Sequence, residues 1–124
     1  MMFTILIIED DADLRNLLIR LLEREKYHIL EAGNGREAIE ILAHSKPDLV
    51  ITDIIMPDED GIGTINTLRR QYPEIKIIAI SGGGRMGSED YLKFARMLGA
   101  HASFSKPFDN KALLIKIKEL LKQK

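Results

Sequence analysis

The chain contains no cysteine and no tryptophan, only four prolines, and no apolar run long enough to span a bilayer. Without cysteine there can be neither a disulfide framework nor a thiolate zinc site, and the composition suits a reducing compartment. The apolar opening, Met1 to Ile8, lacks a basic start and stops at Glu9-Asp10-Asp11. It is too short for a signal peptide or a membrane span, so a soluble, cytoplasmic protein is expected. A large net charge is also missing: 18 Lys plus Arg stand against 19 Asp plus Glu, a balance of −1. Coating nucleic acid or anionic membrane needs clustered positive charge, so neither partner is expected to bind directly. What is present is 124 residues, 45% hydrophobic and 30% charged. That suits one domain over residues 1–124, able to bury roughly two thirds of its unfolded surface without a metal to hold the core. A bound metal would therefore serve chemistry.

Two kinds of segment alternate. Ile5 to Ile8, Leu49 to Ile51 and Ile77 to Ile80 are short, apolar and rich in β-branched residues, as strands buried on both faces are. Tyr27 to Ala32 and Ala102 to Phe104 are weaker strands. Helical spacing appears in Leu14, Leu17, Leu18, Leu21 and Leu22, which form one apolar stripe, in Ala38, Ile41 and Leu42, and in Ile62, Ile65 and Leu68. It recurs in Tyr91, Phe94, Ala95 and Leu98, and in Leu113, Ile117, Leu120 and Leu121. Asp11 or Asp13, Asn34 and Asp109 stand where helices begin, and Pro47, Pro73 and Gly99 just past helix ends. Strand followed by helix, five times over, predicts an α/β fold: a doubly wound, five-stranded parallel sheet covered by five helices. Placing the most apolar strands centrally gives the flavodoxin-like order 2-1-3-4-5, with a crevice at the carboxyl ends of strands 1 and 3.

The polar residues that follow these strands are the informative ones. Strand 1 ends in Glu9-Asp10-Asp11, strand 3 in Thr52-Asp53, strand 4 in Ser81, and strand 5 in Ser105-Lys106-Pro107. Any single Asp after a strand reads first as a cap or turn residue, as Asp11 does here. Four strand ends delivering three carboxylates, a hydroxyl and an ammonium to one rim read as a site. Glu9, Asp10 and Asp53 would repel one another unless a cation intervened, and a hard, oxygen-seeking ion such as Mg²⁺, with Mn²⁺ able to substitute, suits them. His28, His44 and His101 lie outside these loops, which disfavours zinc or copper. A metal beside a carboxylate, a lysine and a hydroxyl suits phosphoryl transfer to Asp53, with Lys106 and Ser81 contacting the phosphoryl oxygens.

Ile7-Ile8-Glu9-Asp10-Asp11, Asp53-Ile54-Ile55-Met56-Pro57 with Asp60-Gly61, Ile80-Ser81-Gly82 and Lys106-Pro107-Phe108 together resemble the receiver domains of two-component response regulators. The resemblance covers essentially the whole chain. It implies that Asp53 is the phosphoacceptor and that Asp10, Asp53 and the backbone carbonyl of Ile55 bind Mg²⁺, with Glu9 acting through water. It further implies that Ser81 is the switch hydroxyl and that Lys106 contacts the phosphoryl group, with a cis bond to Pro107. The donor would be a histidine kinase or a phosphotransfer protein, and a downstream target would dock near the last two helices and strand 5. Such a chain is a signalling domain that promotes its own phosphorylation rather than an enzyme. Two departures stand out. Receivers often carry an aromatic switch residue three positions before the lysine, where this chain has Ser103, with Phe104 one residue later. The positions two after Asp53 and two after Ser81 are Ile55 and Gly83, whose side chains cannot orient a water. Slow self-dephosphorylation is therefore expected.

Two other readings compete. Gly82 to Gly87 matches G-x-G-x-x-G after a strand, the spacing of a nucleotide-binding loop, although Lys106 ends the next strand where a ribose-binding acid is required. A haloacid-dehalogenase-like, Mg²⁺-dependent phosphohydrolase resembles the site too, but its usual second Asp is replaced by Ile55. Lys111, Lys116, Lys118, Lys122 and Lys124 read as the solvated face of the last helix. At 124 residues the chain has about the size of a receiver alone, acting by docking or forming one piece of a longer chain.

Overall fold

A computed structural model describes residues 2–54, 61–81, 93, 96–97 and 99–122, with the side chains of residues 61 and 62 excepted. In chain order the elements are β1 (Thr4–Ile8), α1 (Ala12–Arg24), β2 (His28–Ala32), α2 (Gly35–Leu42), β3 (Leu49–Asp53), α3 (Gly61–Gln71), β4 (Lys76–Ser81), β5 (Ala102–Ser105) and α4 (Asn110–Lys122). All strand pairs are parallel, in the order β2-β1-β3-β4-β5. This is the order predicted from strand apolarity. The described residues hold four helices where five were expected. The segment of Tyr91, Phe94, Ala95 and Leu98 lies outside the described residues, while Lys93, Arg96 and Met97 between them are helical.

Alternation along the strands divides the core in two. Leu6, Ile8, Val50, Ile77 and Ala79 face Ala38 and Leu42 of α2 and Ile65 and Leu68 of α3. Ile5, Ile7, Leu49, Ile51, Ile78 and Ile80 face Leu18 and Leu22 of α1 and Leu113, Ile117, Leu120 and Leu121 of α4. Successive strand side chains point to opposite faces, so a sheet with helices on both sides needs uninterrupted apolar strands. The stripe expected on α1 needs correction at Leu17, which is 56% exposed, whereas Ile19 packs against the core. Five leucines at helical spacing cover a wider arc than the sheet can bury, and Leu17 falls at its edge.

The caps explain where helices start and stop. Asp11 takes an extended conformation and its Oδ1 accepts from the Asp13 and Leu14 amides at 3.0 and 3.3 Å. Asn34 Oδ1 accepts from the Glu37 amide at 2.9 Å, and Asp109 Oδ1 from the Lys111 amide at 2.9 Å. At the end of α1, Lys26 adopts φ of 67°, with its amide on Glu23 O and that of Tyr27 on Leu22 O, the paired closure typical of a helix C-terminus. Gly99 has φ of 120°, which favours glycine, and an added Cβ would sit 2.6 Å from Arg69 Nε, so a side chain there would also have to displace that of Arg69. Replacing Asp11 by Ala should lower stability by about 1 kcal/mol. Chemical denaturation checks this, and an unchanged midpoint would mean that the two amides find other partners.

Candidate functional site

Parallel strands bring their carboxyl ends to one rim, and the register sets the heights. Ile8 pairs with Thr52, Asp53 with Ile80, and Ser81 with Ser105. Glu9 and Asp10 therefore leave β1 beside Asp53, at the point where the chain order reverses, while Ser81 closes β4 and Lys106 leaves β5. The Lys106 amide donates to Ser81 O at 2.7 Å, carrying the β4–β5 pairing one residue past the strand.

Three carboxylates gather here. Glu9, Asp10 and Asp53 each offer an oxygen within 4.8 Å of the others, Glu9 and Asp53 buried and Asp10 exposed. The Lys106 ammonium reaches between two of them, 2.9 Å from Asp53 Oδ2 and 3.0 Å from Glu9 Oε1. Only the contact with Asp53 has hydrogen-bond geometry, and the buried Glu9 Oε1 has no hydrogen bond among the described residues. Glu9 Oε2 accepts from the Asp11 amide at 3.1 Å. Burial, and then the charge of Asp53, push the Glu9 carboxyl up to about 7, against the opposing pull of Lys106. Burial pulls the Lys106 ammonium down, but its bond to Asp53 and the charges of Asp53 and Glu9 outweigh it and leave its pKa raised.

The donor set is one of oxygens alone, with excess negative charge and a buried oxygen lacking a hydrogen bond. That arrangement fits a small divalent cation such as Mg²⁺, whose charge would satisfy Glu9 Oε1 and relieve the repulsion. The Ile55 carbonyl, expected as a further ligand, and the Gly82–Gly87 loop both lie outside the described residues. In the metal-free protein Glu9 makes a pH signature. Its folded pKa of about 7 lies above the ordinary 4.5, so between these values the folded state holds a proton that the unfolded chain has released. Its contribution to stability is full below the ordinary value and lost as pH rises through about 7. Denaturation in chelator across this range should show a smaller fall for Glu9→Gln than for the native chain. Parallel curves would contradict the assignment.

Strand geometry also decides what stands near the rim on β5. Ser103 pairs with Ala79, which packs on the α2–α3 side, while Phe104 packs on the α1–α4 side and meets Phe108 with ring centroids 6.2 Å apart. An aromatic displaced by one position thus faces the opposite layer. The Lys106–Pro107 bond is cis, as the resemblance implied. Sequence reasoning missed Arg15 altogether. Its Nη1 donates to Glu9 O at 2.7 Å and its Nε to Glu31 Oε1 at 3.0 Å. An arginine one turn behind the cap Asp11, able to reach back to the strand end, was the available signal.

Comparison with known proteins agrees with this geometry. The profile of the response regulator receiver domain matches residues 5–118. The chain is 38% identical over 125 residues to the sensor kinase CckA of Brucella abortus, covering 97% of this chain but 13% of that protein. It is 34% identical over 120 residues to the response regulator receiver protein CpdR of the same organism, covering 94% of this chain and 95% of that one. A CheY-like receiver domain protein from Methanospirillum hungatei superposes with a TM-score of 0.89 at 28% identity, covering 99% of this chain and 96% of the other.

Proposed function

Since the chain belongs to the response regulator receiver domains, the phosphorylatable domains of two-component signalling, we propose that Asp53 is its phosphoacceptor. The observation that carries this reading is the buried Asp53 carboxylate at the strand-order reversal, with Lys106 on Oδ2 and the acids Glu9 and Asp10 beside it. An oxygen of Asp53 attacks phosphorus as the bond to the donor breaks, the P–N bond if the donor is a phosphohistidine, and the leaving nitrogen keeps the electron pair. Lys106 neutralises charge on the phosphoryl oxygens, and the Ser81 hydroxyl donates to one of them. Asp10 and Asp53 would hold Mg²⁺ directly, with the Ile55 carbonyl, and Glu9 through water. When bound, the ion supplies positive charge that offsets repulsion between the carboxylates and the incoming phosphoryl group.

A histidine kinase or phosphotransfer protein is the proposed donor, and a target docking near the last two helices and β5 the proposed recipient of the signal. Similarity to a segment of a protein named a sensor kinase supports the first. The chain spans 13% of that relative and 95% of CpdR, so its own output is open to either arrangement. No helix among the described residues is long and apolar enough to cross a membrane. Acetyl phosphate with Mg²⁺ should label the chain stoichiometrically, as seen in intact mass, and a chelator should prevent it. Turnover of a small phosphate ester without a stable adduct would instead support the phosphohydrolase reading.

A further inference from the structure

We propose that Arg15 is a positioning residue for the acidic pair, presetting Glu9 and Asp10 for a divalent cation, an inference that rests on the phosphoacceptor reading. The peptide group joining Glu9 to Asp10 has its carbonyl on Arg15 Nη1 at 2.7 Å. On the other side of Glu9, its amide donates to Ala32 O at 3.0 Å. The Glu9 backbone is thereby fixed at both ends, and rotation of the Glu9–Asp10 peptide, which would swing one carboxylate away from the other, is opposed by a charge-assisted bond.

The guanidinium is itself held. Its Nε donates to Glu31 Oε1 at 3.0 Å, and Glu31 stands on β2 opposite Ile7, two residues before Glu9. The Arg15 amide donates to Asp11 O at 2.9 Å in the first turn of α1. One planar group therefore ties the end of β1 to α1 and to the edge strand, which the rigid fork of arginine does and a lysine cannot. Glu31 also balances the charge of Arg15. The paired guanidinium thus orients the Glu9–Asp10 peptide without leaving an uncompensated positive charge beside the rim. Removing such an outer partner typically weakens metal binding by about 10–100-fold.

Mn²⁺ alone, added to the unphosphorylated full chain and followed through the paramagnetic resonance signal of the free ion, tests this. Arg15→Met should bind Mn²⁺ at least about tenfold more weakly than the native chain. Arg15→Lys should recover only part of the loss. Glu31→Gln, a change at a largely exposed side chain, should weaken binding, and combining it with Arg15→Met should weaken it no further. Ile117→Val, which loosens the core from the remote α4, should leave Mn²⁺ affinity unchanged, separating positioning from general destabilisation. Affinity in Arg15→Met equal to or tighter than native would overturn the proposal alone, provided Asp10→Asn still weakens binding. A native chain that binds no Mn²⁺ would overturn it together with the metal site.

Discussion

Asp53→Asn should abolish covalent labelling by acetyl phosphate in the presence of Mg²⁺, with no mass increment at any time at which the native chain is fully modified. An amide oxygen is far less nucleophilic than a carboxylate, and the substitution leaves the shape of the rim almost unaltered. The fold should survive it. Asp53 is buried, and its charge is one of the causes that raise Glu9, so removing that charge relaxes the pocket. The three acids lie close enough that labelling alone does not say which is the acceptor. Glu9→Gln and Asp10→Asn should slow labelling through weaker metal binding yet leave the adduct detectable. Labelling of Asp53→Asn at the native rate would move the acceptor elsewhere and remove the central claim.

Lys106→Met should have two effects of different origin. The ammonium lies 2.9 Å from Asp53 Oδ2 and 3.0 Å from Glu9 Oε1, with its side chain 23% exposed. Without metal, its removal leaves buried carboxylates short of a partner, at a cost of about 1–3 kcal/mol at neutral pH, since partial exposure and protonation of Glu9 soften the larger loss seen for buried pairs. Divalent metal should restore most of that stability. The labelling rate, in contrast, should remain about a hundredfold below native in saturating Mg²⁺, because a donor to the transition-state oxygens is gone. Denaturation midpoints with and without Mg²⁺, set beside labelling rates, separate the two. A variant that regains its rate along with its stability would show that Lys106 only balances charge.

Much of this was legible in the residues. Strand apolarity ranked the central strands correctly because burial on both faces leaves no polar alternation, and the rim residues followed from where each apolar run stopped. Asp11 or Asp13 and Asp109 were legible as caps, and Asn34 as the turn into α2, because an Asp or Asn before a helical stripe has a local job that neighbouring residues define; the structure selects Asp11 and makes Asn34 a cap as well. Leu17 misled, since helical period marks an arc without saying how much of it the sheet can cover. Arg15 and Glu31 escaped notice because their partnership spans α1 and β2, and nothing local in either segment announces it. The one-residue shift from Ser103 to Phe104 was visible, but its consequence needed the pairing of Ser103 with Ala79 to show which layer each side chain enters.

The division of the core into two alternating layers makes the sheet a measuring device. Were β3 to slide by one residue against β1 and β4, Val50 and Ile51 would exchange layers, and every buried contact of the strand would be lost at once. The same slip would raise or lower Asp53 by about 3.3 Å relative to Glu9 and Lys106. Aliphatic side chains deep in the protein, none of them chemically reactive, thus calibrate the height of the oxygen proposed to react. An insertion in the middle of β3 should therefore silence the site even if every residue of the rim were retained.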